Sequence, residues 1–269
     1  MRPRPLEPFT KQGLSFLRAP LLKGMPSLEH AFMTRAGGVS RGPFTALNFG
    51  GDDTAVNIRA NMERLGLTFS LPGDGVFTVE QVHGNHVVLA GDDSRNKESP
   101  FPSGRPRGDA IITARAGLPI GILTADCVPV LLYDPVSKAV AAIHAGWRGF
   151  VAGVLSESIK AMSRHFAARP ENLLAAIGPH IGNCCYEVSE DLINSFREAC
   201  IPAEPYFTET NGSIRLNLGH AVFDALIGLG LSARHLSFPG PCTSCFPSLY
   251  YSYRRDKVTG RQLSFIMKR

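Results

Sequence analysis

Three short apolar runs, Leu118 to Thr124, Val128 to Tyr133 and Ala139 to Ile143, follow one another between residues 117 and 149. Aliphatic and β-branched runs of this length, bounded by Gly, Pro and Asp, predict buried strands. Each run breaks at a polar residue. The first two meet at Ala125-Asp126-Cys127, and the third ends at His144 before Gly146-Trp147-Arg148-Gly149. Cys127 and His144 are therefore expected at strand ends, outside the mid-strand core. The competing reading of Cys127 is a core thiol, since free cysteine is among the most buried residue types.

The chain has 269 residues, 44% of them hydrophobic, which is enough to bury a full core. No run approaches the roughly 18 apolar residues of a membrane span, and the basic start MRPRPLEPFTKQG has no apolar stretch behind it. A soluble, cytoplasmic protein without a membrane partner is expected. Six cysteines, two of them adjacent at Cys184 and Cys185, do not look like a secreted disulfide framework and fit reduced thiols or a metal site better. The net charge of +5 mildly favours an anionic ligand, but the charges are spread along the chain without a nucleic-acid-binding stripe.

Taken in order, residues 1–28 are Pro-rich and weakly patterned and read as an N-terminal arm. HAFMT (30–34) predicts a strand feeding a glycine-rich loop that holds Arg35, Gly37, Gly38, Ser40 and Asn48. Such a loop can form an anion-binding nest, with Arg35 adding charge, or it can be a plain turn. Residues 54–67 predict a helix capped by Thr54 and stopped by Gly66. GVFTVEQVHGNHVVLA predicts two strands meeting around His83 and His86, and the charged stretch 91–109 a surface loop or lid. Residues 150–167 carry helical spacing; LLAAI predicts a strand, SEDLINSFREAC a helix capped by Ser189, SIRLN a strand, LGHAVFDALIGLG a helix and HLSF a strand. The tail from Leu249 reads as a hairpin turning at DKVTG. Mixed strand pairs and strand–helix alternation indicate an α/β or α+β fold with mixed sheets, without internal repeats.

Ligand chemistry singles out His83, Cys127 and His144 as a metal site. Two imidazoles and a thiolate suit zinc, and three protein ligands leave a fourth position open, as catalytic zinc requires. A reading with two of them makes Cys127 a nucleophile and His144 its base. The PCTSC stretch matches half of the zinc nucleobase deaminase pattern, but no histidine is followed two residues later by Glu, so that reading fails. As half of a zinc ribbon it needs a second matching pair, which adjacent Cys184 and Cys185 do not supply, so Cys242 and Cys245 read as structural.

Five ordered motifs then carry a resemblance: QVHG with His83, TADCVPVLLYD with Cys127, HAGWRG with His144, IGPHIGNCCYEV and SYRRDKVTGR. Together they resemble the YfiH-like family, also called the laccase-domain or polyphenol oxidase family. The resemblance implies one catalytic domain over 29–269, with mixed β-sheets sandwiched by helices in the manner of toxin-deamidase cysteine hydrolases. It implies a zinc site on His83, Cys127 and His144. It also implies purine nucleoside phosphorylase activity on adenosine, inosine, guanosine and S-methyl-5'-thioadenosine, with adenosine deamination as a second reaction; a monomer is expected. Inorganic phosphate is then the co-substrate, expected on Arg35, the glycine loop with Asn48, and Arg148, with Glu187 a candidate acid or base. Two alternatives stand beside this reading. Copper could occupy the same ligands in a polyphenol oxidase, although the chain lacks the His-x-His pairs of laccases; or Cys127 and His144 could form a hydrolase or amidase pair.

Overall fold

The computed structural model describes residues 4–72, 75–91, 104–237 and 240–269. Its strands are β1 (Glu7–Lys11), β2 (Leu14–Arg18), β3 (Leu28–Met33), β4 (Val87–Leu89), β5 (Ala110–Thr113), β6 (Ile120–Thr124), β7 (Val128–Tyr133), β8 (Val140–Ala145), β9 (Leu174–Ile177), β10 (Glu187–Val188), β11 (Phe207–Thr210), β12 (Ser213–Leu216) and β13 (Gln262–Lys268). Its helices are α1 (Pro20–Lys23), α2 (Ala55–Phe69), α3 (Trp147–Val151), α4 (Val154–Phe166), α5 (Asp191–Glu198), α6 (Leu218–Gly228) and α7 (Tyr253–Asp256). One sheet runs β1-β2-β3-β13-β6, another β4-β5-β8-β7-β9, and a small third one β10-β12-β11.

The unbroken apolar runs are explained by burial on both faces. Along β7, Val128, Val130 and Leu132 face a core shared with Leu155, Ile159 and Met162 of α4, Phe196 of α5 and Val222 of α6. Leu131 and Tyr133 face the opposite way, into a core shared with Phe32, Ile120, Ile122 and Ile266 of the other large sheet. That sheet's far face, with Phe16, Met33, Leu263 and Phe265, is covered by Met62, Leu65 and Phe69 of α2. The order is helix, sheet, sheet, helix, which matches the mixed α/β architecture expected. Alternating side chains on a doubly covered strand leave no polar position, so period-2 patterning disappears from the sequence.

β6 and β7 belong to different sheets. Ala125-Asp126-Cys127 is thus the crossing from one sheet to the other, and Cys127 sits where the two sheets part.

Several sequence expectations change. Residues 7–23, read within an arm, form β1, β2 and α1, and β2 pairs with β3, so they extend the first sheet. The helix expected over 150–167 is broken at Gly153, which adopts a left-handed φ of 84° between α3 and α4. α2 continues past Gly66 to Phe69 and ends at left-handed Ser70, while Thr54 caps its start by accepting the Asn57 N–H. Ser189 lies one residue outside the α5 cap. Of the two strands expected over 75–90 only β4 forms, and HLSF contributes a single bridge at Leu236. The tail is not a hairpin: Ser252 caps α7 instead, and β13 inserts between β3 and β6. Most of the expected lid, residues 92–103, lies outside the described residues.

His30 on β3 is buried, and its Nε2 accepts the Ala19 N–H at 3.0 Å. Burial, reinforced by the nearby Arg18 charge, pulls this imidazole down to about 3. An unfolded histidine titrates near 6.5, so below that pH the unfolded chain binds a proton that the folded chain refuses. Stability is therefore expected to fall with acidity by about 1.4 kcal/mol per pH unit between pH 6 and pH 4 from this group alone. Urea denaturation across that range should show the slope. His30→Gln, which keeps an acceptor for Ala19, should reduce it by about one proton; an unchanged slope would assign the acid lability elsewhere.

Candidate metal centre

The site is built from three chain segments. Cys127 lies at the sheet crossing, His144 is the penultimate residue of β8, and His83 sits in the loop before β4. Their ligand atoms all lie within 4.8 Å of one another. The His83 and His144 rings meet edge to face with centroids 4.9 Å apart. His144 is buried, Cys127 half-buried and His83 exposed toward a cleft of about 740 Å³. His144 was expected at a strand end and lies there, yet it is buried, because β8 continues two residues beyond the apolar run.

Asp109 organises this trio. β5 and β8 pair antiparallel with Ala110 opposite Ile143, so Asp109 and His144 fall side by side. The Asp109 carboxylate meets His144 Nδ1 at 2.8 Å and accepts the backbone N–H groups of Val82, His83 and Gly84 at 3.3, 2.9 and 2.7 Å. His83 takes a left-handed φ of 60° there, a conformation that non-glycine residues adopt at a cost of about 1–3 kcal/mol. The same carboxylate thus orients one histidine through its ring and the other through its backbone. Burial opposes the Asp109 charge, but the His144 hydrogen bond and the Gly84 and His83 N–H groups outweigh it and hold the carboxyl below its usual range.

The crossing is pinned as firmly. Asp126, at a φ of 99°, accepts Thr243 Oγ1–H and the Arg254 N–H, each at 2.6 Å, while its carbonyl accepts the Ile181 N–H at 2.9 Å. Burial disfavours the Cys127 thiolate, yet the charge and hydrogen bonds of His144, with those of His83, bring the thiol down to about 6. Burial likewise opposes the His144 cation, but the Cys127 charge and Asp109 outweigh it and raise the imidazole to about 9. At neutral pH the sulfur is ionised, the form in which cysteine binds metal.

The residues fit zinc. Two nitrogens and a thiolate converge, one imidazole is oriented by a carboxylate, and one side faces an open cleft. The backbone leaves room on the sulfur's near side, since a Cβ at Gly146 would stand 3.0 Å from His83 Cδ2 and 3.1 Å from Cys127 Sγ.

The other expected site residues divide. Arg148 lines the cleft, its guanidinium 4.4 Å from the Trp147 ring. Arg35 does not: its guanidinium is committed to the carbonyls of Thr45 and Pro247 and stacks on Tyr251 at 4.4 Å. Asn48 is buried, and its Oδ1 accepts the N–H groups of Gly50 and of Arg261, a residue of the cleft lining. Glu187 lies in β10, where its carbonyl accepts from Arg254. His86 stands outside the trio, with its carbonyl accepting the Asp109 and Ala110 N–H groups.

Sequence reasoning missed Asp109, Arg105, Arg254, Arg261 and Tyr186. The last four line the cleft, and the motif SYRRDKVTGR contains Arg254 and Arg261 without marking them as charge donors to a site.

Comparison with known proteins identifies the family. The family described as multi-copper polyphenol oxidoreductase laccase matches residues 29–269. The chain is 35% identical to purine nucleoside phosphorylase YlmD of Geobacillus stearothermophilus, over 88% of each chain. It is 38% identical to the purine nucleoside phosphorylase of Deinococcus radiodurans, covering 96% of this chain and 94% of that one. The crystal structure of YlmD from Geobacillus stearothermophilus superposes with a TM-score of 0.90 at 31% identity, covering 99% and 100% of the two chains. Fold and site define an enzyme with a Cys/His cluster, able to hold a metal, in the lining of a cleft. The chain belongs to the YfiH/YlmD family of purine-nucleoside-phosphorylase-like enzymes.

Proposed function

We propose that this protein is a zinc-dependent purine nucleoside phosphorylase acting on adenosine, inosine, guanosine and S-methyl-5'-thioadenosine, with adenosine deamination as a second activity. The observation that carries the reading is the convergence of His83, Cys127 and His144 in the lining of a cleft that four arginines also line. His83, Cys127 and His144 would hold the zinc, which when bound supplies a Lewis acid.

The chain's own residues account for the rest. Phosphate attack on the anomeric carbon breaks the bond to the purine nitrogen, so the site must hold an anion beside a ribose that gains positive charge. Arg148, Arg254, Arg261 and Arg105, which line the cleft, offer that anion site. Arginine forks suit phosphate oxygens, and Arg148 and Arg254 are braced against the rings of Trp147 and Tyr186. Burial, with the Cys127 charge, raises the hydroxyl of Tyr186, which lines the cleft, to about 12, so it stays protonated and able to donate.

A multi-copper oxidase reading asks for more histidine ligands than this. Among the described residues, His83, Cys127 and His144 form the one convergent group that contains histidine.

The test is product analysis after incubation with adenosine, with and without phosphate. Adenine and ribose 1-phosphate released only with phosphate, and inosine accumulating without phosphate but passing on to hypoxanthine with it, are the expected results. Phenol-dependent oxygen uptake without purine products would overturn the proposal.

A further inference from the structure

A second group of side chains converges away from the cleft. Cys184 and Cys185, which follow β9, and Cys242 and Cys245, which precede α7, bring four sulfur atoms within 4.8 Å of one another. Cys245 Sγ stands 3.4 Å from Cys184 Sγ and 3.5 Å from Cys185 Sγ. All four are free thiols. Zinc bound to four thiolates at about 2.3 Å needs sulfurs about 3.8 Å apart; the two contacts of Cys245 fall just inside that edge, and no pair of the four exceeds 4.8 Å. A disulfide would draw two sulfurs together and leave the other two aside. Here Cys245 is equally near two partners.

We propose that Cys184, Cys185, Cys242 and Cys245 form a closed structural zinc site, separate from the cleft. The pair of adjacent cysteines, discounted from spacing alone, supplies the second half of the ligand set because the loop after β9 folds against the PCTSC turn. The surroundings are those of a metal–thiolate centre. The Gly182 N–H donates to Cys242 Sγ at 3.2 Å, and the Cys245 N–H is directed at the same sulfur. Arg255 donates to the carbonyls of Thr243 and Ser244, inside the turn, and Arg215 to that of Cys184. Those cations lie where four thiolates on one Zn²⁺ would carry excess negative charge.

The site would have a task. Thr243, between Cys242 and Cys245, donates to Asp126, and Ile181, three residues before Cys184, donates to the Asp126 carbonyl. A zinc ion tying these two segments would fix the turn that presents Cys127, without touching substrate.

Zinc content by mass spectrometry, on protein purified without chelator, tests the proposal. Two zinc ions per chain are expected for the wild type, one for Cys127→Ala and one for Cys245→Ser. Cys127→Ala isolates the second site whatever reaction the cleft performs. In that variant cobalt reconstitution should give intense sulfur-to-metal charge-transfer bands, and thiol titration should find the four cysteines protected until a chelator is added. Cys127→Ala protein with no bound metal and four freely titrating thiols, or with a disulfide among them, would overturn the assignment, even if Cys245→Ser fails to fold.

Discussion

Cys127→Ala is expected to lower phosphorolysis by about three orders of magnitude and to remove the metal of the cleft. Lewis-acid stabilisation is worth several kcal/mol of barrier, and about 4 kcal/mol is a factor of about 10³. The loss alone does not separate a ligand from a nucleophile, since both readings place Cys127 at the centre. Cys127→Asp does. An oxygen ligand at the same position can still bind zinc, so a metal site should regain part of its zinc and turnover. A carboxylate in place of a thiol nucleophile should restore nothing to a cysteine hydrolase. Full activity in Cys127→Ala would sink both readings, and Cys127→Asp protein that regains neither metal nor turnover would favour the Cys127–His144 pair as a hydrolase. The ionised sulfur at neutral pH suits either chemistry, so the argument for metal rests on the third residue, His83, which a thiol–imidazole pair has no use for.

How much of this was legible in the sequence differs from residue to residue. The run Val128 to Tyr133 is β7 to the residue, because a strand covered on both faces leaves one uninterrupted apolar block. His83, Cys127 and His144 stood out as soft ligands at breaks in such blocks, and the fold gathers them. Their convergence was not readable, since it depends on β6 and β7 entering different sheets across Asp126 and Cys127, and nothing local distinguishes a sheet crossing from a turn. That Arg35 is not among the residues lining the cleft has a related reason. A glycine-rich loop with an arginine is the composition of an anion nest, but the guanidinium is consumed by carbonyls 10 and 212 positions away. The cysteine pairs failed on spacing: Cys184-Cys185 matches no common zinc pattern, and only the packing of the loop after β9 on the PCTSC turn brings the sulfurs together.

Asp109 is the costliest omission, and its replacement carries the second large expectation. It closes the charged stretch GRPRGD, where an acid reads as surface, yet it is fully buried. Asp109→Ala would leave the Val82, His83 and Gly84 N–H groups and the His144 ring without their shared acceptor, an expected loss of about 3–5 kcal/mol in denaturant unfolding. Asp109→Asn is more discriminating. Its side chain fits the same space but carries one oxygen rather than a charged pair, so it can accept either from His144 and the His83 N–H or from the Val82 and Gly84 N–H groups, not from all four. Zinc affinity of the cleft and turnover should each fall about 10–100-fold, the usual effect of removing the carboxylate behind a ligating histidine. The acid limb should move too. With its folded value below the ordinary range, Asp109 adds stability above about pH 4 that is lost as the pH falls through its folded value. Asparagine cannot titrate, so that part of the acid slope should vanish. A merely structural carboxylate would lower stability in Asp109→Asn while leaving zinc affinity unchanged. Loss of affinity in protein that still folds would establish that Asp109 positions the metal ligands.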